Sequence, residues 1–285
     1  MSYLKFDKSQ LANLEYSLNH EIIRSNKTGS YCNTTIVGCN TRKYHGLLVS
    51  PVKNQEYRRY VFLSSLDETV VQHNSEFNLG MHRYANDVYE PKGHKYVIDF
   101  SVDTLSESQY RVGGVRLAKE RLLVDTKAQL LTRYTLTEAH SPTKLRFRPF
   151  LAFRDADSLT CANLEANTYV IPVKNGISIQ MYSSLPPLYL QFSKAADFVP
   201  VPDWFYGIEY AKEQERGYPY REDLFVPGYF EIDIEKGESV IFSASLKEEN
   251  PNFFKRHLIT QIERRLPYSS FMHCLTIAAQ QFIVQ

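Results

Sequence analysis

Short runs rich in β-branched and aromatic residues follow one another along most of the chain, and turn residues separate them. No helical segment of ten or more residues lies between these runs, so the crossover helices that a parallel sheet needs are missing. The pattern therefore predicts a mainly β protein, built as a large antiparallel β-sandwich. The predicted strands are 34–38, 46–50, 59–65, 68–72, 95–102, 109–112, 115–124, 129–137, 144–153, 168–172, 177–183, 187–193, 205–210, 228–234 and 239–245.

Two local details support this architecture. Gly113 and Gly114 stand between two predicted strands, where the access of glycine to positive φ favours a tight hairpin turn. Farther along, Leu145, Phe147 and Pro149 alternate with charged residues. Such alternation is typical of a strand with one face toward the core and the other toward water.

Helical spacing is predicted near the two ends of the chain. Leu11, Leu14 and Leu18 fall on one face of a short N-terminal helix. The chain is therefore expected to comprise a sandwich domain, residues 1–250, and a helical segment, residues 251–285.

The C-terminal segment is predicted to form two helices. The first covers 252–265, Pro267 ends it, and the second begins near Ser269 or Ser270. No capping glycine or polar run follows the second helix, so we expect it to continue into a further domain that covers its apolar side. The alternative is a C-terminal helix that docks on the sandwich. The apolar positions expected to face a core are Phe271, Leu275, Ala278, Ala279 and Phe282.

Composition argues against several functional classes. The 33 Lys and Arg residues nearly balance the 32 Asp and Glu residues, and no long run of one sign occurs. Nucleic acid and acidic membranes are therefore not expected as partners. The four scattered cysteines and the charged N-terminal segment predict a reduced, cytoplasmic protein without a signal peptide or a membrane span. His82 and His94 lack partners at ligand spacing, so neither a metal nor a cofactor is expected.

One polar loop between two predicted strands gathers an amide, a guanidinium, a phenol and an imidazole. These groups belong to Asn40, Arg42, Tyr44 and His45. In one interpretation they bind a polyhydroxylated ligand, because loops between strands commonly display binding groups. In the other they connect strand ends and satisfy buried backbone groups, and the spacing alone favours this second interpretation.

The same loop resembles the N-T-R-x-Y-H-G-L-L-V signature of the N-terminal domain of bacterial and archaeal glycogen debranching enzymes, the amylo-α-1,6-glucosidase family. Further segments agree in the same order, so the resemblance covers about residues 21 to 245. One difference lies at 25–31, where Asn26, Gly29 and Tyr31 are retained but the other glycines of the family's turn are not. The agreeing segments are R-P-F-L-A-F-R-D at 148–155, D-W-F-Y at 203–206, E-Q-E-R-G at 213–217 and E-D-L-F-V-P-G-Y-F-E at 222–231.

The resemblance implies a supersandwich similar to galactose mutarotase and to the N-terminal domain of glucoamylase. It also implies that an α/α toroid follows in cis and hydrolyses α-1,6 branches of glycogen-like α-glucans. The chain would then be a non-catalytic domain that stabilises the toroid and contributes to binding glycogen or maltooligosaccharides. A free-standing carbohydrate-binding module is one alternative. A mutarotase-like sugar enzyme is another, and it would need a histidine and a carboxylate in one pocket.

The acidic residues support a non-catalytic role. Glycoside hydrolysis normally needs two carboxyl groups about 5 to 9.5 Å apart across the scissile bond. Glu222 and Asp223 are adjacent on an extended segment and point to opposite faces, so we expect them to be solvated or paired with Arg216 or Arg221. No catalytic residue is therefore predicted.

Aromatic residues are the stronger ligand candidates. Trp204, Tyr206 and Tyr218 lie in an aromatic block, and sugar rings pack their C–H faces on aromatic planes. Packing of a long loop on the sandwich, or on a following domain, is an equally good interpretation of this block.

Overall fold

The computed structural model describes residues 3–266 and 268–284, and most of them form antiparallel strands in two large sheets. The predicted fold class is confirmed. The strands are β1 Leu4–Asp7, β2 Glu21–Ser25, β3 Tyr31–Thr35, β4 Gly46–Pro51, β5 Arg59–Gln72, β6 Ser75–Asn78, β7 His82–Tyr84, β8 Val88–Glu90, β9 Val97–Val102, β10 Ser106–Val112, β11 Val115–Leu123, β12 Gln129–Glu138, β13 Thr143–Asp155, β14 Val170–Val173, β15 Gly176–Ile179, β16 Leu188–Phe192, β17 Asp197–Glu209, β18 Arg221–Ile234 and β19 Ser239–Ser245. The α-helices are α1 Lys8–Ala12, α2 Leu14–Leu18, α3 Ala211–Glu215, α4 Phe254–Glu263 and α5 Phe271–Gln280, and short 3₁₀ turns occur at Lys53–Gln55, Ala85–Asp87, Gly93–Tyr96 and Pro251–Phe253.

The two sheets differ in strand order. The nine-stranded sheet runs β1-β9-β10-β11-β12-β19-β16-β15-β14, so β19 joins two groups of strands that are otherwise separate. The eight-stranded sheet runs β17-β18-β13-β5-β4-β3-β2, and β6 pairs with β5 beside this path. Strands β7 and β8 form a small separate ribbon.

Aromatic side chains fill the space between the two sheets. Tyr134 of β12 lies 4.9 Å from Phe147 of β13, measured between ring centroids. Phe192 of β16 lies 5.0 Å from Phe230 of β18 in the same way. All four rings belong to one buried cluster. Removing one such ring typically costs about 3–5 kcal/mol, so these contacts are a main source of the attraction between the sheets.

Most of the predicted strands are present, and the largest differences have local causes. The turn at Gly113 and Gly114 is confirmed, with φ of 56° and 80° and with Val112 paired to Val115. Strand β17 begins earlier than the predicted strand 205–210 and includes two prolines. Because β17 is an edge strand, a proline there need not break the hydrogen-bond ladder.

The N-terminal helical segment consists of two short helices rather than one. Asn13 separates them, since it ends α1 and its side chain accepts a hydrogen bond from the Tyr16 amide at the start of α2. Leu11 and Leu18 are buried, and Leu14 is half-buried.

The C-terminal helices α4 and α5 also agree with the prediction in position. Ser270 caps α5 by accepting a hydrogen bond from the His273 amide at 3.2 Å. Pro267, predicted to end the first helix, lies outside the described residues. Among residues 3–266 and 268–284, no helix combines the length and the apolar composition needed to cross a bilayer.

The face of α5 that the sequence predicts to pack on a core does not pack on the sandwich. The helix contacts the main core through Cys274 and Ile277, which leaves the opposite side of the helix turned outward. The residues that the sequence placed toward a core are exposed in the described chain: Phe271, Leu275, Ala278, Ala279 and Phe282.

Candidate functional site

The polar loop between β3 and β4 is fixed by its own side chains. The Asn40 amide donates to the backbone oxygen and the hydroxyl of Ser64, at 3.1 and 3.2 Å. It accepts a hydrogen bond from the Thr34 hydroxyl at 2.9 Å. Asn40 is almost completely buried. All of these bonds are internal, so the geometry of Asn40 fits the connecting role that the spacing favoured.

His45 and Arg42 meet at one carboxylate, that of Glu21 on β2. Nδ1 of His45 accepts from the Thr41 amide at 3.2 Å, which assigns the proton to Nε2. Nε2 lies 3.2 Å from one oxygen of Glu21, and Nε of Arg42 donates to the other at 2.6 Å. Burial alone would raise the pKa of Glu21, but the contacts with His45 and Arg42 lower it to about 2.

His45 itself is fully buried. Burial lowers the pKa of its imidazole, although the neighbouring Glu21 opposes this effect. A histidine and a carboxylate therefore converge, as a mutarotase-like enzyme would require. Solvent does not reach the ring, however, so a sugar has no access to it.

A second carboxylate lies beside the same loop. Glu213 of α3 is fully buried, and neither of its oxygens has a hydrogen-bond partner in the described residues. Its nearest cation is Arg216, whose Nη1 lies 3.8 Å away. Among residues 3–266 and 268–284, no group of three or more His, Cys, Asp or Glu side chains could hold a metal ion.

Another buried network joins the loop to the R-P-F-L-A-F-R-D and E-D-L segments. The Arg154 guanidinium donates to both oxygens of Glu222 and, at 2.6 Å, to the backbone oxygen of Lys43. The Tyr210 hydroxyl also donates to Glu222. Phe153, at a register shift of β13, has a φ of 45°, a conformation that is strained for a large side chain. This bulge immediately precedes Arg154.

The prediction that Glu222 is solvated or paired with Arg216 or Arg221 was wrong. Glu222 is buried and pairs with Arg154 from the neighbouring strand β13, a contact that depends on strand pairing rather than on sequence distance. Both oxygens of Asp223 are also hydrogen-bonded within the protein. They accept from the backbone amides of Ala162 at 3.0 Å and Gly207 at 2.9 Å.

A cavity of about 600 Å³ lies beside this network, and we call it the tyrosine cavity. The Tyr31 hydroxyl donates to the Tyr44 backbone oxygen at 2.9 Å, which orients the Tyr31 ring. Asp155 lies 4.0 Å from Arg58 and accepts from the Asp157 amide at 2.8 Å. The lining residues are Ile23, Ser25, Gly29, Tyr31, Tyr44, Tyr57, Arg58, Arg59, Asp155, Ala156, Asp157, Ser158, Gln281, Phe282 and Val284.

The turn at 25–31, which lacks some of the family's glycines, contributes to the cavity through Ser25, Gly29 and Tyr31. The side chain of Asn26 fixes the conformation of this turn through hydrogen bonds. Its amide donates to the backbone oxygens of Val124 at 2.8 Å and Lys127 at 2.9 Å. Its oxygen accepts from amides within the turn, and Gly29 provides the positive φ of 78°.

The predicted ligand residues are only partly brought together. Tyr44 lines the tyrosine cavity, whereas Asn40, Arg42 and His45 fix the loop that carries it. Tyr218 lies close by, because Lys43 is 5.8 Å from its ring and also donates to the backbone oxygen of Asp157.

Trp204 and Tyr206 do not line this cavity. Trp204 packs on Phe225 with 5.4 Å between ring centroids, and Tyr206 is exposed on the edge strand β17. The sequence did not identify Tyr31, Tyr57, Asp155 or Asp157 as residues that line the cavity. Asp155 ends a recognised motif and Tyr31 belongs to a recognised turn, but no sequence signal pointed to Tyr57.

Comparisons with known proteins give one family match. Residues 20–241 match the family model described as glycogen debranching enzyme N terminal. No curated protein matches the chain.

Two similar solved structures are much longer than this chain. One is a bacterial glucoamylase complexed with acarbose, with 9% sequence identity and a TM-score of 0.43. The alignment covers 92% of this chain and 38% of the glucoamylase. The other is a polysaccharide lyase, at 14% identity and a TM-score of 0.30, which covers 85% of this chain and 34% of the lyase. The chain therefore spans well under half of either protein.

Proposed function

Because the chain belongs to the glycogen debranching enzyme N-terminal family, we propose that it is the non-catalytic N-terminal domain of an enzyme that hydrolyses α-1,6 branches in glycogen-like glucans. Residues 1–250 form the sandwich in this proposal, and 251–285 lead into a catalytic α/α toroid in cis. The sandwich stabilises the toroid and contributes to glucan binding. The enzyme is cytoplasmic, in keeping with four cysteines that are all free.

The tyrosine cavity is the observation that carries the glucan-binding part. Its wall combines the rings of Tyr31, Tyr44 and Tyr57 with charged and hydroxyl side chains, and the cavity volume is about 600 Å³. Sugar rings need both surfaces, because their C–H faces pack on aromatic planes and their hydroxyls need hydrogen-bond partners. A cavity of this volume is within the usual range for a small-molecule site.

The position of the cavity supports a role at a domain boundary. Phe282 and Val284, from the end of the described chain, form part of its wall. The helix α5 precedes these two residues in the chain and exposes apolar side chains, since Phe271 and Leu275 are 58% and 48% exposed. In the proposal, the toroid covers these residues, so the cavity opens at the rim of the substrate cleft.

Glu222 and Asp223, the acidic pair of the E-D-L segment, are not available for catalysis. Glu222 is enclosed by Arg154 and Tyr210, and Asp223 accepts from two backbone amides. These groups are not free to protonate a glycosidic oxygen or to attack an anomeric carbon. The burial of His45 likewise argues against the mutarotase-like alternative.

Parallel assays of this chain and of a longer protein that includes the following domain test the proposal. We expect glucose release from a branched limit dextrin only with the longer protein, and weak maltooligosaccharide binding by this chain. Tight binding by this chain, with no gain in the longer protein, would support the free-standing module instead. Hydrolysis by residues 1–285 alone would overturn the assignment of a non-catalytic domain.

A further inference from the structure

A second cavity, of about 510 Å³, lies between the sandwich and the C-terminal helices, and we call it the arginine cavity. Its wall includes Arg24, Lys27, Arg264 and Arg265, against the single carboxylate of Asp125. The whole chain has a formal net charge of only +1. Positive charge is therefore concentrated in this cavity far beyond the average for the protein.

Only one of these cations has a carboxylate partner in the described residues. Nη2 of Arg265 lies 2.6 Å from Asp125. Arg24 instead donates to the Tyr268 hydroxyl, and its guanidinium lies 4.5 Å from the centre of that ring. Its Nη2 is buried without any hydrogen-bond partner among residues 3–266 and 268–284. A buried donor of this kind normally has an acceptor, so the guanidinium of Arg24 has hydrogen-bonding capacity that the described residues do not use.

The electrostatic environment of Arg24 agrees with this interpretation. Burial lowers the pKa of its guanidinium, and the charge of Arg265 adds to the effect, although Tyr268 opposes both. Two guanidinium groups that repel each other in a partly enclosed space favour an anion between or beside them.

We propose that the arginine cavity binds a small phosphorylated ligand, whose phosphate monoester is held by Arg24, Lys27 and Arg264. Guanidinium groups match phosphate oxygens with paired, charge-assisted hydrogen bonds, and lysine adds a further positive charge. The volume leaves room for an organic group beside the phosphate. The wall also contains neutral polar side chains that offer hydrogen bonds to hydroxyl groups of the ligand's organic part. Examples are Thr104, Thr126 and Gln280.

The ligand would connect two parts of the chain. Arg24 lies on β2 and Lys27 in the turn that follows, whereas Arg264 directly follows α4. A phosphate that contacts all three therefore attaches the C-terminal helices to the sandwich. This site is separate in its chemistry from the tyrosine cavity, so it does not depend on the proposed glucan binding.

Calorimetric titration of this chain tests the site with four probes: inorganic phosphate, glucose 6-phosphate, adenosine 5′-monophosphate and uncharged glucose. We expect saturable binding of at least one phosphate-bearing probe, and an excess of uncharged glucose should not displace it. Equal affinity for inorganic phosphate and for the two esters would show that the organic group contributes nothing, and it would overturn the proposal of an esterified ligand. Tighter binding of one ester would show that its organic part contributes.

Variants of exposed cations separate binding from folding. Lys27 and Arg264 are exposed, so Lys27→Gln and Arg264→Gln should each fold normally and weaken phosphate binding about tenfold. Lys236→Gln removes the same charge from an exposed turn elsewhere and should leave the affinity unchanged. No saturable binding of any phosphate probe, or an equal loss in the Lys236 variant, would overturn the proposal. Addition of a maltooligosaccharide should not displace the phosphate probe, which distinguishes this site from the tyrosine cavity.

Discussion

Nε2 of His45 lies 3.2 Å from Oε2 of Glu21, although His45 directly precedes β4 and Glu21 begins β2. The other oxygen of this carboxylate accepts from Arg42. Glu21 therefore contacts Arg42 and His45 of the loop and fixes the backbone that presents Tyr44 to the tyrosine cavity.

Replacement of Glu21 should make stability depend less on pH. The carboxyl pKa of about 2 in the folded protein lies below its ordinary value of 4.5, so ionised Glu21 stabilises the fold above about pH 4.5. That stabilisation is lost as the pH falls toward 2. For this partly exposed group, we expect Glu21→Gln to lower the free energy of unfolding by about 1–2 kcal/mol at pH 7. Urea unfolding at pH 7, 5 and 3 should show the difference from the wild type shrinking at the lowest pH.

Glu15→Gln provides the control, because Glu15 is an exposed glutamate of the helix α2. It should change stability little at any of the three pH values. A constant difference between Glu21→Gln and the wild type from pH 7 to pH 3 would contradict the role assigned to the ionised carboxylate.

Substitution of Glu222 should lower the free energy of unfolding far more than substitution of Tyr210, its neighbour in the network. Glu222→Gln leaves the Arg154 guanidinium buried without its counter-charge, so we expect a loss of about 3–5 kcal/mol in the free energy of unfolding. Tyr210→Phe removes one hydrogen bond but keeps the ion pair, and should cost about 1–2 kcal/mol. Urea unfolding of both variants at pH 7 checks the order, and equal losses would show that the ion pair is not the dominant contact.

Tyr57 allows a test of the tyrosine cavity without damage to the core. Its side chain is 66% exposed, so Tyr57→Ala should leave the unfolding midpoint nearly unchanged. Loss of the ring should weaken maltooligosaccharide binding about tenfold, as measured by calorimetry. Tyr169→Ala removes a ring that is still more exposed, at 82%, beside the edge strand β14, and it should have no such effect. A similar loss in both variants would mean that binding is not localised to the cavity.

Gly228 should not tolerate a side chain. Its φ is 144°, and a Cβ atom would lie 2.2 Å from the backbone oxygen of Val199 on the paired strand. We expect Gly228→Ala to lower the free energy of unfolding by about 3 kcal/mol or more. Gly237, with φ of 85°, has open space around the same position, so Gly237→Ala should cost only about 1 kcal/mol. Thermal unfolding of both variants would reveal whether steric exclusion or φ alone decides the loss.

The sequence identified strands best where one face is buried and the other is solvated. Strand β13 was predicted nearly in full, because its first half alternates between buried and half-buried residues. Strand β5 was predicted as two strands with a gap at 66 and 67. Asp67 is the reason, since a carboxylate interrupts the apolar pattern, yet it is buried and pairs with His82 at 3.0 Å. A single sequence does not show that a histidine 15 residues away provides this carboxylate with a hydrogen-bond partner.

The candidate site was predicted in outline only. The polar loop was located from its own residues, but its contact with Glu21 depends on the pairing of β2, β3 and β4. Tyr57 reaches the tyrosine cavity through the folding of the β4–β5 connection, which carries no recognisable motif. The aromatic residues Trp204 and Tyr206 suited both packing and ligand binding, and composition could not separate these roles.

The central place of β19 has a consequence for biosynthesis. Strands β14, β15 and β16 join the rest of the nine-stranded sheet through β19, which pairs with both β12 and β16. A nascent chain that has not yet reached Ser239 therefore has an unpaired edge at β12 and a detached three-stranded meander. Such edges readily pair with other chains. Completion of the sheet waits for β19 to leave the ribosome, and during that interval the growing chain depends most on protection from aggregation.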